Sequence, residues 1–223
     1  MKIEYRIMGC RDRLPMVTHL SATLGIPQRN VYIDQKMSGD PLATQQKALS
    51  IPFVDDITHI VLLQDDCLVG KLFKDNIEAL INVSLESIFS LFVPNPNKHL
   101  YKSIDSVILP TGGAVCGLAN IIPVQYVKPY LEWWSELSKS VSYKADDATL
   151  AVFAKTHNIR VLTTIPSIVE HRCNDGTHSS ALNHTHGSFV SLKTDIDADV
   201  RNFAFRTDIT LGEYNGNYLQ KYI

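Results

Sequence analysis

The chain has 223 residues, which suits one large domain at roughly 150 residues per domain. Hydrophobic residues make up 45% and charged residues 20%, a globular balance that excludes a disordered, collagen-like or coiled-coil protein. Lysine and arginine number 21 against 23 aspartates and glutamates, and a net charge of −2 argues against a general polyanion binder while leaving room for a local basic patch.

Residues 2–8 alternate as a β-strand does and end at Gly9. Lys2, Glu4 and Arg6 interrupt this segment, so it does not read as a signal peptide. Leu14 to Leu24 carries apolar residues at helical spacing, with Pro15 in the first turn and Gly25 just past the end. Val31 to Ile33 reads as a short strand closing on Asp34. Residues 37–42 read as a loop, Thr44 to Leu49 as a helix, and His59 to Leu63 as a buried strand. This β-α-β-loop-α-β order predicts a parallel sheet with crossover helices, in which ligands sit beyond the carboxyl ends of the strands. Arg11, Asp12, Arg13, Asp34, Gln64, Asp65 and Asp66 all fall just past such ends.

The second half is less regular. Residues 76–92 fit helix and strand alike. Val107 to Leu109 reads as a strand running into the turn Pro110-Thr111-Gly112-Gly113. Val124 to Leu137 reads as a helix around Trp133 and Trp134, Asp146 and Asp147 cap a helix through Ala154, and Arg160 to Thr164 is a strand. No run reaches the 18 or so apolar residues of a membrane span. The four cysteines, Cys10, Cys67, Cys116 and Cys173, are widely spaced and read as free thiols in a reducing compartment, so a cytoplasmic location is expected.

Three acidic or imidazole features carry candidate chemistry. Asp65-Asp66 follows an apolar strand, where adjacent carboxylates repel unless a cation joins them. The pair suits a hard divalent ion that also takes phosphate oxygens, and equally a solvated acidic turn. Asp146-Asp147 suits a helix cap, and also a general base near an acceptor hydroxyl. His171, after Ile165-Pro166-Ser167-Ile168-Val169-Glu170, is either structural or the completing ligand of a metal shell.

In this order the three features resemble those of GT-A fold glycosyltransferases, of the inverting family-2 type and the small lipopolysaccharide type. Leu62-Leu63-Gln64-Asp65-Asp66 resembles their DxD-like metal motif, Ala145-Asp146-Asp147 their xED-type base motif, and Pro166 to His171 their PSxVxH segment. The likeness covers roughly residues 1–175 and implies an α/β fold: a single domain with a Rossmann-like, mostly parallel sheet flanked by helices. It divides the chain into a nucleotide-sugar half, 1–110, and an acceptor half with a C-terminal tail, 111–223. It also implies Mn²⁺ or Mg²⁺ on Asp66 and His171, with Asp65 in support, and Asp147 as the base with Asp146 beside it. Arg11, Arg13, Asp34, Lys47, Gln64, Asp65, Gly112 and Gly113 would contact a nucleotide-sugar donor, with UDP the commonest nucleotide. Gln64 stands where many members carry an acid, and Asp146 replaces a glutamate.

The implied acceptor is a glycan or lipid-linked sugar, a protein, or a hydroxymethylated base in phage-type DNA. For DNA, Arg11, Arg13, Lys47, Lys71 and Lys74 would form a basic rim, though a solvated surface explains them equally. A nucleotidyltransferase of related fold is the enzyme alternative, but Gly9-Cys10-Arg11-Asp12-Arg13 lacks its glycine-rich loop. A zinc-stabilised binding module is the other: His171, Cys173, His178, His184 and His186 crowd one stretch, at no common zinc-finger spacing. Trp133, Trp134, Tyr214 and Tyr218 read as core or as acceptor platforms.

Overall fold

The computed structural model describes residues 1–36, 39–93, 106–111, 115–140, 146–172 and 194–208. Strand β1 (Ile3–Cys10) leads through a 3₁₀ turn into helix α1 (Leu14–Leu24), then β2 (Val31–Asp34), α2 (Pro41–Leu49) and β3 (His59–Gln64). There follow β4 (Cys67–Val69), α3 (Phe73–Val83), β5 (Ile88–Ser90), β6 (Val107–Pro110), β7 (Ala119–Pro123) and α4 (Val124–Leu137). The chain continues through α5 (Asp146–Thr156), β8 (Val161–Ile165), β9 (Val169–His171) and β10 (Ala204–Phe205).

Eight strands form one sheet in the order β10-β6-β8-β5-β7-β3-β1-β2, and β4 with β9 forms a separate ribbon. The pairings β1–β2, β1–β3, β5–β8 and β6–β10 are parallel, whereas β3–β7, β5–β7 and β6–β8 are antiparallel. This is the mostly parallel α/β sheet with flanking helices that the alternation predicts, and the antiparallel members enter through β6 and β7.

Burial on both faces explains β3. Val61 and Leu63 pack with α1 and α3, while Ile60 and Leu62 pack on the other side with α2, α4 and α5. All four are fully buried, so the strand reads as a continuous apolar run. Each contributes about 1.5–3 kcal/mol by leaving water. Helix α1 carries the chain from β1 to β2 over one face, and α2 carries it from β2 over the opposite face to β3, on the other side of β1. In open α/β sheets ligands bind at such a reversal, here beyond the carboxyl ends of β1 and β3.

Several element ends differ from the sequence expectation by a few residues, and three differences are instructive. Helix α2 begins at Pro41, inside the expected loop, because the Asp40 side chain accepts from Ala43 N at 2.9 Å and Pro41 suits the first helical position. Residues 76–92 divide into the end of α3, whose Phe73, Ile77, Leu80 and Ile81 face the core, and the short β5. Strand β1 continues through Gly9 to Cys10. At the end of α1, Gly25 adopts φ 63°, as the left-handed cap requires, and Ile26 N donates to Ser21 O at 2.9 Å.

Residues 194–208 return across the sheet. Asn76 of α3 anchors them: its Nδ2 donates to Ala198 O at 2.8 Å and its Oδ1 accepts from Val200 N at 3.0 Å. Among the described residues no helix is long and apolar enough to cross a membrane.

Candidate active site

The first half of the site grows from the β1–β3 seam. Asp65 leaves β3 with its backbone N donating to Met8 O at 3.0 Å, and its side-chain Oδ2 accepts from Cys10 N at 2.8 Å. Only glycine fits beneath this carboxylate: a Cβ on Gly9 would lie 2.9 Å from Asp65 Oδ2 and 2.8 Å from Val17 Cγ2. Burial pushes the Asp65 carboxyl up to about 6; Arg13 opposes that rise and Asp66 adds to it.

Asp66 follows directly and opens the β4–β9 ribbon. In that ribbon Cys67 stands opposite His171, which brings His171 Nε2 to 3.3 Å from Asp66 Oδ2. Arg172 N also donates to Asp66 O at 2.9 Å, fixing the turn. Arg13, from the 3₁₀ turn after β1, reaches both acids. Its Nη2 lies 3.1 Å from Asp65 Oδ1, as an ion pair without hydrogen-bond geometry, and its Nη1 donates to Asp66 Oδ2. Burial raises the Asp66 carboxyl, but the His171 hydrogen bond and Arg13 outweigh it and hold the group below the usual range. The other oxygen of Asp66, Oδ1, is buried with no hydrogen-bond partner.

The second half of the site is the start of α5. Both acids lie in its first turn. Asp146 Oδ2 accepts from Gln64 Nε2 at 3.0 Å, so the last residue of β3 holds the first described residue of the helix. Gly117 closes over this bond: a Cβ there would sit 2.6 Å from Asp146 Oδ2 and 2.9 Å from Gln64 Nε2. Burial first, then the charge of Asp147, pushes Asp146 up to about 7. Asp147 is half-buried, its Oδ1 accepts from Ala148 N at 2.6 Å, and burial raises its carboxyl as well. Among the described residues no cationic side chain forms an ion pair with either acid.

Cys116 lies between the two halves. Burial raises its thiol first, and Asp147, Asp146 and Asp66 each raise it further, so all three carboxylates lie within electrostatic reach of one side chain. Cys116, Gly9 and Gly117 have no counterpart in the sequence reading. A glycine ending a strand was the available sign for Gly9. Gly117 and Cys116 precede β7, a five-residue strand that runs straight into α4 and so carries no periodicity of its own.

Other candidate residues are placed as follows. Asp34 ends β2 opposite Cys10, so it shares the carboxyl edge, and its Oδ1 accepts from Lys36 N at 3.1 Å. Arg11 is exposed at the tip of the turn, 3.7 Å from Asp12. Lys47 is not brought to the site: it is exposed on the last turn of α2, whose Ala48 and Leu49 carbonyls accept from Arg6 in the middle of β1. Lys74 lies 5.5 Å over the Tyr5 ring. Trp134 is buried, and Trp133 packs on Phe153 at 5.7 Å, so this pair joins α4 to α5. Gly112, Gly113, Cys173, His178, His184, His186, Tyr214 and Tyr218 lie outside the described residues.

Asp66 and His171 fit a divalent cation as a partial shell. Their 3.3 Å separation approaches the roughly 3 Å edge of an octahedron with bonds of about 2.1 Å. The orphaned Oδ1 of Asp66 is a further donor. Among the described residues no group of three or more His, Cys, Asp or Glu is arranged to hold a metal. The described residues would therefore supply two ligands, which would suit an ion completed by water and phosphate oxygens.

No protein-family model and no curated protein matches the chain. Solved structures do. A197 from STIV is 16% identical, covering 73% of this chain and 81% of its own, with a TM-score of 0.45. A glycosyltransferase involved in glycosylation of the major capsid of PBCV-1 is 11% identical over 80% of this chain and 96% of its own, TM-score 0.40. A mutant Drosophila β-1,4-galactosyltransferase 7, complexed with manganese, UDP-Gal and xylobiose, is 10% identical over 89% of this chain and 84% of its own, TM-score 0.34. At these scores none of them assigns a family, and the chain's function has to be read from its own site.

Proposed function

We propose that the chain is a metal-dependent glycosyltransferase of the GT-A type that moves a sugar from a nucleotide-sugar donor, a UDP-sugar in the first instance, to an acceptor hydroxyl with inversion. One observation carries the reading. A couple suited to a cation, Asp66 with His171, and an acidic couple that forms no ion pair among the described residues, Asp146 with Asp147, meet at one sheet edge, linked through Gln64 at the end of β3.

In this reading Asp66 and His171 hold Mn²⁺ or Mg²⁺, and Asp65 keeps the β3 terminus fastened to β1. A bound divalent ion neutralises charge on a departing diphosphate. Asp34 and Arg11, at the ends of β2 and β1, take the nucleoside, and the Thr111-Gly112-Gly113 turn takes the sugar. Asp147 is the more accessible of the second pair and accepts the acceptor proton, while Gln64 and Gly117 keep Asp146 fixed beside it. A carboxyl raised by burial is a better base than an ordinary one. A glycan or lipid-linked sugar is favoured as acceptor over DNA, because three of the five basic residues are drawn off a common rim: Arg13 is engaged on carboxylates, Lys74 covers Tyr5, and Lys47 sits on the turn tied to Arg6.

The test is a thermal-shift panel of nucleotide sugars with and without Mn²⁺, followed by product analysis. A donor that raises the melting point only with the metal, and release of nucleoside diphosphate on turnover, are expected. Release of pyrophosphate would instead identify a nucleotidyltransferase and overturn the proposal.

A further inference from the structure

We infer that Arg13 is a built-in counter-ion that occupies the cation site in the metal-free protein and must release Asp66 before a divalent ion binds. The inference rests on the metal-dependent reading above and adds a residue that sets the site's metal affinity. Four observations carry it. The guanidinium reaches both acids at once, with Nη1 on the same Asp66 oxygen that lies 3.3 Å from His171 Nε2. Ligand atom and resident cation therefore compete for one position. Secondly, Asp65 and Asp66 are 2% and 7% exposed, so without a cation two neighbouring carboxylates would be buried together. Thirdly, the remaining contact of the Arg13 head is weak, Nε donating to Cys10 Sγ at 3.4 Å, and its side chain is 18% exposed on a three-residue turn. It is held by charge and is free to swing outward when that charge is satisfied by another ion. Finally, the orphaned Oδ1 of Asp66 shows that the guanidinium does not saturate the carboxylate.

Charge arithmetic gives the consequence. Two carboxylates and one guanidinium leave a net charge of −1, where the acids alone would present −2. Arg13 thus lowers the attraction of the empty site for a lone divalent ion.

The experiment is Mn²⁺ titration at pH 8 by calorimetry, with the metal alone, on the wild-type protein and on Arg13→Gln, Arg13→Lys and Asp66→Asn. Removing a positive charge from hydrogen-bond range of the ligand should tighten Mn²⁺ binding about tenfold or more in Arg13→Gln. Arg13→Lys, with one compact charge in place of a fork, should fall between, and Asp66→Asn should bind no Mn²⁺. Thermal unfolding gives a second readout: metal-free Arg13→Gln should melt below wild type, and Mn²⁺ should restore more of its melting temperature than it adds to wild type. If wild type binds Mn²⁺ and Arg13→Gln binds it no more tightly, Arg13 supports the site instead of competing for it, and the inference fails while the transferase reading stands. If neither protein binds Mn²⁺, the metal-dependent reading falls too.

Discussion

Two Asp-Asp pairs lie at one edge of the sheet, and their surroundings drive Asp66 one way and Asp146 and Asp147 the other, while burial lifts Asp65 to about 6. Asp65-Asp66 has Arg13 and His171 against it, so Asp66 stays ionised below the usual carboxylate range despite its burial. Among the described residues Asp146-Asp147 has no ion-pair partner; burial and the charge of Asp147 lift Asp146 to about 7, and burial lifts Asp147. On the proposed function, an identical dipeptide would serve as ligand or as base according to what faces it. A permanently charged carboxylate suits a metal, and a carboxylate near neutrality suits proton transfer.

Breaking each pair separately should separate the two functions. Asp66→Asn removes the ligand whose charge the metal needs, at a loss of several kcal/mol of charge stabilisation. Transfer should fall by more than about 10³-fold, and calorimetry should show that donor binding no longer responds to Mn²⁺. Asp147→Asn should lower transfer by about 10²–10⁴-fold while leaving metal-dependent donor binding at the wild-type value. If both variants lose donor binding equally, the pairs do not divide the work.

The contrast was only half legible in the chain. Strand β3 and the acids after it stand out because five buried residues in a row end abruptly in charge. Helix α1 is bounded by Pro15 and Gly25, which act locally, so its limits coincide with the sequence reading. Long-range pairings left no local trace. The β4–β9 ribbon brings residues 66 and 171 together across about a hundred positions, through three-residue strands too short to show alternation. Likewise Arg13 reads as a possible phosphate contact until the fold turns it back onto Asp65 and Asp66. Gln64 appears as a departure from an acidic motif, yet its amide suits its neighbour: a carboxylate in its place would face Asp146 at about the same 3.0 Å.

Gly117 tests whether the second pair depends on that neighbour. Alanine there would drive a Cβ to 2.6 Å from Asp146 Oδ2 and 2.9 Å from Gln64 Nε2, so one of the two must move. Overpacking of this kind costs about 1–3 kcal/mol, readable as a lower urea midpoint with an unchanged slope. Transfer should fall, whereas Mn²⁺-dependent donor binding should survive, because the atoms that a Cβ at Gly117 would strike belong to Asp146 and Gln64 and not to Asp66 or His171. Loss of metal response in Gly117→Ala would mean that the halves are mechanically one unit.

The last effect concerns pH, and its sign follows from the buried carboxyls whose values are raised, Asp146 and Asp147 together with Asp65. The Asp146 carboxyl titrates near about 7 in the fold against an ordinary value of 3.8. Between those values the native protein holds a proton that the unfolded chain has lost, so stability declines as pH rises through the window, by at most about 1.4 kcal/mol per pH unit. Asp146→Asn keeps an oxygen to accept from Gln64 Nε2 but cannot ionise. Urea unfolding at pH 5, 6, 7 and 8 should therefore show wild type weakening toward pH 8 and the variant weakening less, with Asp147 and Asp65 accounting for the slope that remains. At pH 8 the variant should be the more stable protein. Parallel curves for the two proteins would mean that Asp146 is ionised in the fold throughout, and that its burial does not raise it.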